Sequence, residues 1–146
     1  MRTSLPLCLC AFLSLGAGIP DSPIDTLLPL IEQQESGGDP NALGDYIDPD
    51  GPGPRPAYPR AVGILQIHPI MVDECNRILG HREFTYADRF DTYASHRMFS
   101  IYSLHWAAHY SDYSLRGIAA RWNGGPSGHT NPVALAYADR TLSNLK

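Results

Sequence analysis

Runs of apolar residues at helical spacing recur along most of this chain, separated by glycine and proline. Leu27, Leu28, Leu30 and Ile31 predict a first helix that Thr26 can cap and Gly37-Gly38 stops. Pro29 fits that helix only in its first turn and would otherwise kink it. Asn41 to Asp45 and Ala61 to Ile67 are predicted as short extended pieces, and Asp48 to Arg60, rich in Pro and Gly, as loop. A second helix opens at Pro69 and ends before Gly80, burying Ile70, Met71 and Ile78. From Asp91 or Thr92, the recurrence of Ala94, Met98, Ile101, Tyr102, His105, Ala108 and His109 predicts one inward face of a long third helix. Ser114 caps a fourth, with Leu115, Ile118, Ala119 and Trp122 inward, and Asn123-Gly124-Gly125 ends it. Thr130 or Asn131, ahead of Pro132, starts a last helix through Tyr137. The expected fold class is α+β, mainly helical, with a small strand-and-loop segment after the first helix.

The first 18 residues stand outside this pattern. Arg2 precedes an apolar run from Leu5 to Leu15, and Gly16, Ala17 and Gly18 follow, which is the order of a cleavable secretory signal. The run is too short to span a bilayer, and Pro20 and Pro23 oppose a continuing helix. The expectation is therefore an exported chain, periplasmic or extracellular, with one domain over 19–146 and no membrane span in its mature part. Export matters for the cysteines: Cys8 and Cys10 fall in the signal, so Cys75 alone remains and no internal disulfide is possible. The net charge of −4, or −5 without Arg2, and the lack of any Lys/Arg cluster argue against a nucleic-acid partner.

Glu35 is the first candidate for chemistry. It lies four residues after Ile31 and eight after Leu27, on the apolar face of its helix. It also occupies the last turn, where unpaired carbonyls make a negative end. Both features disfavour the carboxylate, so its pKa should rise, as a general acid requires. An ordinary Glu at a frayed helix end is the competing reading on position alone.

Context favours the acid. Glu35-Ser36-Gly37-Gly38 is followed by Gly63-Ile64-Leu65-Gln66-Ile67, by Ala120-Arg121-Trp122-Asn123-Gly124-Gly125 and by Tyr137. This order, from about Leu27 to Tyr137, resembles the soluble lytic transglycosylase family and the related goose-type lysozymes. The resemblance implies a lysozyme-like fold and a peptidoglycan lytic transglycosylase, which cuts between N-acetylmuramic acid and N-acetylglucosamine and needs no metal or organic cofactor. It makes Glu35 the acid/base and puts Ser36, Gln66, Asn123 and Tyr137 in the substrate groove, with Tyr137 close to the carboxyl. Side-chain chemistry is compatible with these roles. Gln66 offers a donor and an acceptor to an acetamido group, Gly63 permits close backbone approach, and Asn123 at a helix end can turn left-handed. Asn123 as a plain helix stop and Tyr137 as a core aromatic are the competing readings.

Two departures stand out. The Pro/Gly-rich loop between Asp45 and Ala61 does not match the family's motifs, and Arg121-Trp122 replaces the usual Ala-Tyr. Asp45, Asp48 and Asp50 could supply the second carboxylate that an inverting hydrolase needs, so a hydrolysing muramidase is one alternative. A non-catalytic peptidoglycan-binding protein is another. Tyr46, Tyr58 and Trp122 are candidate sugar platforms. An acidic chain gains no long-range attraction to anionic wall, so recognition must come from a shaped groove.

His105 and His109 lie one helical turn apart, a chelating spacing, but Trp106 stands where a zinc protease has Glu. Histidines satisfied in the core or supporting a neighbouring side chain are the expectation, with no metal. Cys75 beside Asp73 and Glu74 is a poor thiolate. Asp88-Arg89-Phe90-Asp91 is expected to open a helix with local ion pairs.

Overall fold

A computed structural model describes residues 22–46 and 60–145. The expected signal at 1–18, with Cys8 and Cys10, lies outside them, as do Asp48, Asp50 and Tyr58. Within them the chain is α+β and mainly helical. Its elements are α1 (Pro23–Ser36), β1 (Leu43–Tyr46), β2 (Arg60–Val62), α2 (Pro69–Leu79), α3 (Thr92–Tyr110), α4 (Leu115–Gly124) and α5 (Pro132–Leu142). Short 3-10 turns at Tyr86–Phe90 and Gly128–Thr130 lead into α3 and α5. No helix among the described residues is long and apolar enough to cross a membrane.

Helix α1 starts earlier than the apolar run suggests. Ser22, not Thr26, is its N-cap; the hydroxyl accepts from the Ile24 N–H, and Pro23 occupies the first turn, where no N–H is missed. Pro29 consequently falls inside the helix, and burial of Ile24, Leu27 and Ile31 against the core offsets the hydrogen bond it removes. Gly37 ends the helix in the left-handed conformation, φ 65°, where a Cβ would be strained.

The two strands pair antiparallel with an irregular register. Only 60–62 of the expected 61–67 strand is extended. Gly63 (φ 78°) and Gln66 (φ 48°) fold the chain back, so that Ile67 bonds to Val62 through both backbone groups. Arg89 secures this turn. Its fully buried guanidinium donates to the carbonyls of Arg60, Ile67 and Tyr86. Asp88 serves the turn at Thr85, accepting from its N–H, and Asp91 caps α3 through the Ala94 N–H.

Two helices present faces different from those the pattern suggests. In α2, Val72 and Cys75 are buried while Ile70 is 71% exposed; Met71 and Ile78 are half-buried. In α3 the buried set is Ser95, Met98, Phe99, Tyr102, Ser103 and Ala107, whereas Ala108 and His109 are exposed. The stripe lies about one residue round from the expected one because two serines belong to it. Their small side chains admit close neighbours, and Ser95 satisfies its hydroxyl on the Arg89 carbonyl.

Helix α4 touches α1, α3 and α5 and is buried from Gly117 to Trp122. Even Arg121 is enclosed, its Nη1 donating to the Asp112 carboxylate at 2.9 Å and its Nη2 to the Asp112 carbonyl. Helix α5 is capped by Asn131 and continues beyond Tyr137 to Leu142.

A Cβ on Gly63 would lie 1.9 Å from the Arg89 carbonyl oxygen, at a positive φ. Gly63→Ala should therefore destabilise the fold by roughly 3 kcal/mol or more. Urea unfolding at unchanged m-value checks this.

Candidate active site

The last turn of α1, strands β1 and β2, the 63–66 turn, the start of α2 and the end of α4 enclose a cleft of about 860 Å³. Glu35 forms part of its wall. Leu27 and Ile31, on the same helical face, are fully buried, and they draw Glu35 half out of solvent. From α5 the buried Tyr137 donates its hydroxyl to the Glu35 carboxyl at 2.5 Å. Burial pushes the Glu35 pKa up, and the Tyr137 hydrogen bond takes back part of that rise. The Tyr137 hydroxyl is itself driven far up by burial and then by the Glu35 charge, so it stays a donor at any working pH. The result is a carboxyl group that keeps its proton above the ordinary range and faces open space. Such a group can deliver a proton to a ligand and take one back.

The other expected residues divide. Ser36 and Gln66 line the cleft, but their polar atoms are engaged within the protein. The Ser36 hydroxyl donates to the Ile64 carbonyl at 2.7 Å and accepts from the Gly38 N–H, clamping the end of α1 to the 63–66 turn. Gln66 donates its amide to the Gly63 and Ala42 carbonyls. Its carbonyl end fills the space a Cβ on Gly44 would need. Asn123 lines the cleft and is exposed, yet it stays helical; Gly125, at φ 76°, makes the break. Tyr137 is not part of the cleft wall and acts behind Glu35.

Of the other cleft residues, Asp45 is the expected candidate for a second carboxylate and Trp122 for a sugar platform, whereas His68, Leu43 and Ile70 carry little sequence signal as site residues. Asp45 and His68 face each other's field across β1 and the start of α2. Burial and the Arg89 charge lower the His68 pKa, against a smaller upward pull from Asp45, so the imidazole is neutral at pH 7. Only the position of His68 between the Gly63–Ile67 segment and Pro69 could have pointed to it. The exposed side chains of Leu43 and Ile70 also line this cleft. Trp122 reaches it from the core, edge-on to Phe99 with ring centroids 4.9 Å apart.

The remaining candidates lie elsewhere. His105 is half-buried and His109 exposed, each edge-on to Trp106. No group of three metal-ligating side chains occurs among the described residues. Cys75 is buried, its thiol against the Met98 carbonyl and its pKa pushed up to about 12 by burial and then by Glu74.

No protein-family model, curated protein or solved structure matches the chain. Function rests on the site.

The raised Glu35 pKa has a stability consequence. A carboxyl whose folded pKa exceeds its unfolded one binds more protons when folded, so stability falls as pH rises from about 4.5 through the folded value. Replacing Glu35 by Gln removes that loss. Glu35→Gln should be more stable than wild type at pH 7, and the gain should disappear below pH 4.5, as thermal unfolding across pH would record.

Proposed function

We propose that the chain is an exported peptidoglycan lytic transglycosylase with a lysozyme-like fold, acting in the periplasm or outside the cell. The observation that carries this reading is the half-buried Glu35 carboxyl, open to the cleft and held from behind by Tyr137. The proposed reaction is acid/base chemistry at one carboxyl and calls for no metal.

In this account Glu35 gives its proton to the glycosidic oxygen between N-acetylmuramic acid and N-acetylglucosamine as the bond to the anomeric carbon breaks. The Glu35 carboxylate then takes the proton of the muramic acid 6-hydroxyl, whose oxygen attacks the same anomeric carbon. One bond to that carbon breaks and one forms, the product is a 1,6-anhydro sugar, and no water is consumed. Tyr137 offsets charge on Glu35 between the two steps without giving up its own proton.

A hydrolysing muramidase has one observation in its favour: Asp45 stands in the same cleft wall and could activate water from the far side. A non-catalytic peptidoglycan-binding protein would have no use for a proton-holding carboxyl at this position.

Mass spectrometry of muropeptides released from purified peptidoglycan separates these readings. Anhydromuramic ends, reduced about 10²–10⁴-fold in Glu35→Gln and little changed in Asp45→Asn, are the expected result. Reducing ends abolished by Asp45→Asn would establish the hydrolase. Absence of product from several peptidoglycan types would overturn both.

A further inference from the structure

The chain has six histidines, and the surroundings account for four of them. His81 and His96 bond to the Leu79 carbonyl and the Glu32 carboxylate, while His68 and His129 each have Nδ1 closed off from solvent. His105 and His109 fit neither description. Neither ring makes a hydrogen bond or ion pair among the described residues; His105 has no nitrogen closed off, and His109 is exposed. The two also stand together. Both belong to α3, four residues apart, where a helix sets side chains one above the other with Cβ atoms about 6 Å apart.

Trp106 restricts both rings. Its indole is edge-on to His105 at 5.0 Å between centroids and to His109 at 5.3 Å. Rings already held against one apolar wall lose less freedom when they close on a shared ligand. Two imidazoles one helical turn apart are the pair by which helical His-x-x-x-His segments hold zinc. The local field favours a cation. His109 lies in the last turn, at the negative end of a helix of 19 residues, and the Glu74 carboxylate of α2 acts electrostatically on His105. Arg77 takes both Glu74 oxygens, so Glu74 supplies field and not a ligand. The protein therefore offers two nitrogens and leaves the other coordination positions to water.

We propose that His105 and His109 form a binding site for a divalent transition ion, one that takes copper(II) more tightly than zinc(II). Imidazole suits both ions, and copper(II) stands above zinc in intrinsic affinity for nitrogen ligands. Zinc is also held most firmly by three or four protein ligands, which this site does not provide. Neither histidine lines the Glu35 cleft, so the site is separate from it and does not rest on the glycan-cleaving function. A bound ion ties two successive turns together at the end of α3.

Titration of the full chain with copper(II) chloride, in a buffer that does not bind metal, tests this through tryptophan fluorescence. Copper(II) quenches an indole beside it. Trp106 touches both imidazoles, whereas Tyr102 stands between Trp106 and Trp122. Quenching should saturate and should be lost in Trp106→Phe. His105→Ala and His109→Ala should each raise the Kd by at least about tenfold. His81→Ala, which removes an exposed imidazole elsewhere, should leave the Kd unchanged. Excess zinc(II) chloride should raise the thermal unfolding midpoint of the wild type and not that of His109→Ala. No quenching, quenching that survives Trp106→Phe, or a Kd unchanged in both His105→Ala and His109→Ala would overturn the proposal. So would a zinc-induced rise kept in His109→Ala. An equal loss in His81→Ala would mean adventitious binding to surface imidazoles only, and would overturn it as well.

Discussion

The hydrogen bond from Tyr137 to Glu35 joins the first helix to the last across 102 residues of chain, and the site takes its form around it. Neither partner reaches it alone. Glu35 is brought there by the apolar face it shares with Leu27 and Ile31, and Tyr137 by α5, which packs on α4. Because α4 touches α1 as well, the buried Ile118, Ala119 and Ala120 set the spacing at which the hydroxyl meets the carboxyl. Burial and hydrogen bonding act oppositely on Glu35. Burial favours the proton, the bond favours the charge, and burial is the larger effect.

The opposite wall depends on a second buried group. Arg89 gathers three carbonyls from the start of β2, the end of the following turn and its own 3-10 segment. With Gly63 pressed on the Arg89 carbonyl, this fixes where Gln66 and His68 emerge. A guanidinium is suited to the task because its donors are planar and keep their charge when buried. Ser36 joins the two walls, since its hydroxyl bonds from the end of α1 to the turn that Arg89 supports. A half-buried carboxyl on one side and a polar, partly apolar surface on the other are thus held by separate networks that meet at one residue.

Much of the helical framework was legible in the chain because local signals suffice for it. Pro69, Ser114, Pro132 and the glycines at 37, 80 and 125 mark helix ends through backbone constraints that no tertiary contact alters. Glu35 was legible for the same reason, from its distance to Leu27 and Ile31. Features that depend on distant partners were not. The α3 face was misjudged because Ser95 and Ser103 read as polar, although small size lets both be buried and Ser95 bonds to the Arg89 carbonyl. The expected strand at 61–67 shortened to 60–62 because Gly63 meets Arg89, 26 positions away, and the chain turns there. Asn123 matched a helix stop by composition, yet the next two glycines make it unnecessary as one. Ser36 and Gln66 line the cleft, but their polar atoms serve the fold, and nothing in the sequence distinguishes the two uses.

The account's central claim is that Glu35 holds its proton above the ordinary carboxylate range while facing the cleft. Carbon-13 NMR titration of the Glu35 side-chain carboxyl measures that directly, with Tyr137→Phe as the comparison. A midpoint above 4.5 in wild type, moving higher when the Tyr137 hydroxyl is removed, is the predicted result. A midpoint at or below 4.5 in wild type would mean a solvated carboxylate, and Glu35 would not be the acid of this site.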